Sequence, residues 1–230
     1  MEIEELKKVV YEENIRLYKS GLVKLTWGNV SQVDREKGIM AIKPSGISYD
    51  ELKIDDIVVL SLDGKIIDGK LKPSSDTPTH LYLYNHFKEI GGIVHTHSPF
   101  ATSFAQAKKS IISLGTTHAD SFYQEVPCTR DLTKEEIEND YEKNTGKVIV
   151  ETFKDRDYLA TPAVLIASHG PFTWGKDANS ALNNSIILEE VAKMAIYTLL
   201  IDKNVKPIDK DLENKHYSRK HGKNAYYGQK

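Results

Sequence analysis

The chain predicts an α/β fold with its sheet covered by helices. Three observations predict it. Short apolar runs of strand type, such as Ile57-Val58-Val59-Leu60 and Ala163-Val164-Leu165-Ile166, gather in the middle of the chain. Segments with helical spacing and helix-type caps lie before, between and after them. Finally, 230 residues at 40% apolar content suffice to bury a sizeable core in one domain spanning 1–230, without internal repeat, linker or low-complexity segment.

From the N-terminus, residues 2–20 read as an amphipathic helix: Ile3, Leu6, Val10 and Leu17 share a stripe, and Gly21 supplies a stop. Leu25 to Val33 and Gly38 to Lys43 read as strands, followed by the turn Pro44-Ser45-Gly46. Ile57–Leu60 and Lys65–Ile67 flank Asp63-Gly64, a pair that tolerates positive φ and signals a hairpin. Ser74-Ser75-Asp76-Thr77-Pro78 offers capping side chains and an early proline, placing a helix start near residue 77. Gly91 to His97 reads as a strand, and a short helix follows over 99–108. Thr133-Lys134-Glu135-Glu136 fits a capping box opening a helix that Gly146 ends. Lys147-Val148-Ile149-Val150 and the run closing in His169 read as further strands, and a long helix is expected from Asp177 to Ile201. After Pro207 the tail mixes charge with aromatics, a density that suggests docking against a neighbouring surface rather than fraying.

A net charge of −2 gives no basis for nucleic-acid or membrane binding. Cys128 is the lone cysteine, so no intrachain disulfide forms, and a small buried hydrophobe is its expected role. The acidic start Met1-Glu2-Ile3-Glu4-Glu5 does not read as a signal peptide, and no apolar run approaches the ~20 residues that span a bilayer. A cytoplasmic location is expected.

His95-Thr96-His97 is the most informative motif, read either as a pair of metal ligands or as two partly exposed polar residues on one strand face. Strand side chains alternate between faces, so histidines at i and i+2 point the same way. Neutral imidazole ligates zinc and other divalent metals, and catalytic sites usually take three protein ligands. His169, closing a second apolar run, can supply the third. Thr26-Trp27-Gly28-Asn29, Lys43-Pro44-Ser45-Gly46 and Lys72-Pro73-Ser74-Ser75-Asp76 are turns able to aim donors at a phosphate. Asp76 itself reads three ways: helix cap, solvated carboxylate or fourth metal ligand. Thr116-Thr117-His118-Ala119-Asp120 unites hydroxyls, an imidazole and a carboxylate in a loop that can supply proton-transfer groups. His80 and His86 read as surface or packing residues.

Together these motifs resemble the class II aldolase/adducin family nearly end to end. The resemblance rests on LTWGNVS (25–31), IKPSG (42–46), KPSSDTPTH (72–80), GGIVHTHS (91–98), GTTHADSFY (115–123), SHGPFTWGK (168–176), LEEVA (188–192) and KHYSRKHGKNAYYGQ (215–229). The T-T-H-A-D loop and the KHY…YYGQ ending favour its 4-epimerase branch over the aldolases. The resemblance implies a three-layer α/β/α sandwich around a largely antiparallel sheet, and one Zn²⁺ per subunit on His95, His97, His169 and Asp76, other divalent metals being possible. It implies substrate and phosphate binding by Gly28, Asn29, Ser45, Gly46, Ser74 and Ser75, with His216 and Arg219 nearby, and proton transfer by Asp120 and Tyr227. The implied reaction is epimerisation of a ketopentose phosphate, L-ribulose 5-phosphate, at C4, in a homotetramer whose active sites lie between subunits. Two alternatives stand beside it: an aldolase cleaving fuculose or rhamnulose phosphate, and a non-enzymatic adducin-like binding module.

Overall fold

The strands are β1 (Asn29–Asp34), β2 (Ile39–Ile42), β3 (Val58–Ser61), β4 (Ile66–Asp68), β5 (Gly92–His95), β6 (Ala163–Leu165) and β7 (Pro171–Gly175). In the computed structural model, which describes residues 1–223 and 225–227, they form one seven-stranded sheet ordered β4-β3-β2-β1-β5-β7-β6. Every neighbouring pair is antiparallel. Helices are α1 (Ile3–Lys19), α2 (Thr77–His86), α3 (Pro99–Ala107), α4 (Thr116–Ala119), α5 (Lys134–Glu138), α6 (Tyr141–Thr152), α7 (Ala178–Ile201) and α8 (Lys210–His221). None of the described helices is long and apolar enough to cross a membrane.

Alternation along the strands sorts apolar side chains to two faces, and both are covered. On one, Met40, Ile42, Val58, Leu60, Ile93, Phe172 and Trp174 pack with Leu83 and Tyr84 of α2 and Ile149 and Phe153 of α6 and the turn after it. On the other, Ile39, Ala41 and Val59 meet Leu6 and Val10 of α1, while Val30 and Val94 meet Leu17 of α1 and Leu182 of α7. α3 extends this second layer, packing Ala101 and Ala105 with Ala163, Leu165 and Leu188. The result is a three-layer α/β/α sandwich around an antiparallel sheet. With both faces covered, β1 and β5 are buried along their whole length. Polar residues of β1 therefore carry partners: the Ala178 N–H donates to Gln32 Oε1 at 2.9 Å, and Ser31 Oγ lies 2.7 Å from His80 Nδ1.

β5, the strand that delivers the histidines, lies mid-sheet, with Val94 opposite Val30 on one side and Thr173 on the other. It begins in glycine because the start of α7 crosses there: a Cβ on Gly92 would lie 2.3 Å from the Ala178 nitrogen.

Several expectations are corrected. Lys147–Val150 is not a strand but part of α6, whose Val148 and Ile149 are wholly buried. Gly146 does not stop a helix; it sits inside α6 because α2 lies so close that a Cβ would come 2.7 Å from Tyr82 Cβ. The capping box is formed, Thr133 Oγ1 accepting from the Glu136 N–H, but its helix α5 ends at Glu138, and Asp140 at φ 54° turns the chain into α6. The strand expected from Leu25 starts only at Asn29, after a turn with Leu25 at φ 53° and Gly28 at φ 74°. Thr116–Ala119 is a short helix rather than a loop, and the tail is helical over α8. Cys128 is half-buried, which pushes its thiol up to about 11.

Candidate metal centre and active site

Three chain segments deliver the histidines. His95 ends β5 and His97 follows two residues beyond the strand end. His169 is carried by the tight turn between β6 and β7, where its N–H donates to the Ile166 carbonyl at 2.9 Å and Ser168 adopts φ 64°. Such a strained non-glycine position beside a functional side chain fits a turn shaped to aim it. The turn before β1 must be glycine at Gly28, because a Cβ there would lie 2.8 Å from the His95 carbonyl and 2.6 Å from Val23 Cγ1.

The three rings converge. His97 Nε2 lies 3.1 Å from His95 Nε2 and 3.0 Å from His169 Nε2, and each ring offers a ligand nitrogen within 4.8 Å of the others. The 2.9 Å bond from His95 Nδ1 to the Pro171 carbonyl fixes the tautomer, since a carbonyl can only accept. In its neutral form His95 therefore turns an unprotonated Nε2 to its neighbours. Burial, then the nearby His95, lowers the pKa of His97; burial followed by His95 and His97 takes His169 down to about 4. Neutral rings with converging lone pairs form a chelating donor set.

The donor set fits a divalent cation. Tetrahedral zinc with its usual Zn–N bonds would set ligand nitrogens about 3.3 Å apart, close to the spacing across His97. Asp76 precedes α2 but makes no side-chain capping bond. Asn29 Nδ2 instead donates to Asp76 Oδ2 at 2.7 Å and to Ser74 Oγ at 3.1 Å. Burial works to raise the Asp76 carboxyl, yet the neighbouring His95 and His80 rings and the Asn29 bond hold it below its ordinary value. Asp76 shares the cleft without belonging to the three-nitrogen group.

All three turns expected to bind anions open on this cleft, a cavity of about 390 Å³ lined by Gly28, Asn29, Ser45, Gly46, Ser74, Ser75, Asp76, His95, His97 and His169. Backbone bonds splice two of them, the Ser45 N–H donating to the Lys72 carbonyl at 2.9 Å and the Ser74 N–H to the Lys43 carbonyl at 3.0 Å. The positive end of α2 begins beside them, favourable for phosphate.

Asp120, His216, Arg219 and Tyr227 do not line this cleft. They form a second cluster, where α8 docks on α4. Arg219 grips the Asp120 carboxylate with both oxygens engaged, Nε to Oδ1 at 3.0 Å and Nη2 to Oδ2 at 2.6 Å; His216 Nδ1 lies 3.0 Å from Oδ1, and His221 Nε2 donates to the Asp120 carbonyl at 3.0 Å. Burial works to raise the Asp120 carboxyl, but the Arg219 and His216 bonds bring it below the ordinary carboxylate range. The Tyr227 ring lies 4.9 Å from the Arg219 guanidinium and 4.6 Å from Lys220 Nζ.

Comparison with known proteins separates the resemblance from coincidence of motifs. The class II aldolase and adducin N-terminal domain matches residues 8–196. The chain belongs to the class II aldolase and adducin family. It is 53% identical over 228 residues, 99% of its own length and 100% of theirs, to the proteins named L-ribulose-5-phosphate 4-epimerase UlaF from Salmonella paratyphi A and Salmonella typhi. Among solved structures it resembles an L-fuculose 1-phosphate aldolase (TM-score 0.79, 28% identity, 94% of this chain and 96% of that one). The fold is also shared with YgbL of Klebsiella pneumoniae (TM-score 0.74, 24% identity, 94% of this chain and 99% of that one).

In this class II aldolase relative, some cleft residues carry no motif signal. Tyr141 and Glu142 line the cleft from the start of α6, the element the sequence reading divided wrongly. Lys43 was noted only as part of a turn. It is almost wholly buried over the Tyr49 ring, its Nζ 4.8 Å from the ring centre, and burial lowers its pKa to about 8. Neither histidine on α2 reaches the trio: His80 is fully buried against Phe172 and His86 stacks on Tyr82 at the surface.

Proposed function

We propose that this chain is an L-ribulose-5-phosphate 4-epimerase that interconverts L-ribulose 5-phosphate and D-xylulose 5-phosphate. The reading is carried by end-to-end similarity to epimerases, in a chain whose cleft gathers three imidazoles beside serine-rich turns. His95, His97 and His169 would hold one Zn²⁺, with Asp76 of the same cleft as the further ligand. Such a cation, when bound, supplies a Lewis acid for the C2 carbonyl and C3 hydroxyl oxygens of the ketopentose.

Inversion at C4 requires that the C4 hydroxyl lose its proton while the C3–C4 bond breaks, giving a dihydroxyacetone enediolate and glycolaldehyde phosphate. The aldehyde then turns over and the bond re-forms on its other face, the new C4 oxygen regaining a proton. Attack on opposite faces calls for two proton-transfer groups, and Asp120 and Tyr227 are assigned those roles. Ser45, Gly46, Ser74 and Ser75 hold the phosphate, so that the aldehyde is retained between cleavage and recombination. Asn29, with two donor bonds already made and Oδ1 buried without a partner among the described residues, has an acceptor left for a substrate hydroxyl.

Asp120 and Tyr227 lie in a cluster apart from their own chain's cleft, and we assign them to the cleft of a neighbouring subunit in a homotetramer. Met194, Tyr197, Leu200 and Ile201 expose apolar surface along the end of α7, as an assembling subunit would. The test is to incubate the protein with L-ribulose 5-phosphate and with L-fuculose 1-phosphate. Xylulose 5-phosphate from the first, without free aldehyde, supports the epimerase; cleavage of the second alone would make the protein an aldolase, and turnover of neither would favour a binding module.

A further inference from the structure

Among the cleft-lining residues, Tyr141 is placed with unusual firmness. It is the first residue of α6, and Asp140 before it is held at φ 54° and ψ 46°, a left-handed conformation tolerated by aspartate. Thr145 Oγ1 donates to the Tyr141 carbonyl at 3.0 Å, and Thr79 Oγ1 of α2 donates to the carbonyl of the next residue, Glu142, at 2.5 Å. The contact of Gly146 with Tyr82 locks α6 against α2 one turn later. The start of α6 is thus tied to the helix that follows Asp76, and the half-buried phenol reaches the outer side of the histidine trio.

There its hydroxyl lies 3.4 Å from His169 Nδ1, while Nε2 of the same ring faces His97 at 3.0 Å. His95 has a carbonyl in the equivalent position, from Pro171, which leaves no choice of tautomer. The turn that carries His169 brings no such carbonyl to Nδ1: the Gly170 carbonyl accepts instead from the Ile166 N–H. We infer that Tyr141 is the positioning residue of His169, its hydroxyl oxygen accepting the Nδ1–H and so presenting an unprotonated Nε2 to the metal. Having accepted, the phenol keeps its own O–H to donate into the cleft. Outer partners of this kind typically change metal affinity about tenfold to a hundredfold.

The inference rests on the reading of the trio as a metal site, and the experiment separates the two. Metal-free wild-type protein and Tyr141→Phe are titrated with Zn²⁺ alone against a chromophoric chelator, and imidazole tautomers are read by nitrogen NMR before metal is added. Expected are Zn²⁺ binding about tenfold or more weaker in Tyr141→Phe, and a wild-type His169 protonated at Nδ1. Equal affinity in the two proteins overturns the role of Tyr141 and leaves the metal site standing; absence of Zn²⁺ binding in the wild type overturns both. Should the variant fail to fold, a wild-type His169 carrying its proton on Nε2 refutes the inference unaided.

Discussion

In the cleft, burial and neighbouring imidazoles lower the pKa of His97 and His169, whereas in the second cluster Arg219 and His216 hold the Asp120 carboxyl below its ordinary value. The histidines stand on the end of an interior strand, β5, and on the β6–β7 hairpin turn of the same seven-stranded sheet. Asp120 stands at the end of a four-residue helix, and its partners come from a terminal helix. The difference suits the two chemical tasks proposed for them. Lone pairs aimed at one point need a rigid mount and a dry setting, because a displaced ring ligates nothing. Proton transfer needs charged groups whose protonation can change, and these survive at a surface where solvent and ion pairing support the charge.

The sharpest division between the regions comes from deleting one member of each. His97→Ala removes the ring that the other two approach, and turnover should fall by about 10³-fold or more as several kcal/mol of Lewis-acid stabilisation is lost. Metal analysis should show the loss of bound ion; a variant that keeps both metal and rate would break the comparison. Tyr227→Phe should slow xylulose 5-phosphate formation by about 10²- to 10³-fold while leaving metal content unchanged. Coupled loss of metal in that variant would mean that the two regions are one structural unit.

A milder change probes the cleft alone. Asn29→Ala leaves the Asp76 carboxylate without its 2.7 Å donor and the cleft without the Oδ1 acceptor. Turnover should drop about tenfold, the worth of one good hydrogen bond, and free glycolaldehyde phosphate should appear in an aldehyde-trapping assay. Complete retention of the aldehyde would assign that task to the serine turns instead.

The smallest effect concerns acidity. Because the folded pKa of Asp120 lies below its unfolded value, its contribution to docking α8 is present above about pH 4. It is lost as pH falls through the folded value. Hydrogen exchange at α8 amides should therefore accelerate below about pH 4 while β5 amides stay protected, and Asp120→Asn should show fast α8 exchange already at pH 7. Unchanged α8 protection in that variant would show that packing, not the carboxylate, holds the helix.

How much of this was legible beforehand follows the length of the signal. β2, α1, α2, α3 and α7 announced themselves by caps, prolines and spacing, and the H-T-H pattern with its serine turns marked the cleft because the same residues provide both turn and chemistry. α6 was hidden: Val148-Ile149-Val150 is β-branched, and only packing against α2 makes it helical, with Gly146 serving contact rather than termination. Tyr141 was missed with it, since a tyrosine at a helix start carries no motif. The separation of Asp120 from its own chain's cleft could be anticipated only through the family resemblance, which implies sites between subunits, because residue spacing gives no measure of which surface a tail docks upon.

The claim joining the two regions is that one subunit's cleft works with another's Asp120 and Tyr227. Mixing inactive His97→Ala with inactive Tyr227→Phe, after joint unfolding and reassembly, tests it directly. If sites are shared between subunits, random mixing leaves about a quarter of them with both parts intact, and activity should return to about that fraction of wild type. Activity no greater than the sum of the two variants alone would contradict the account.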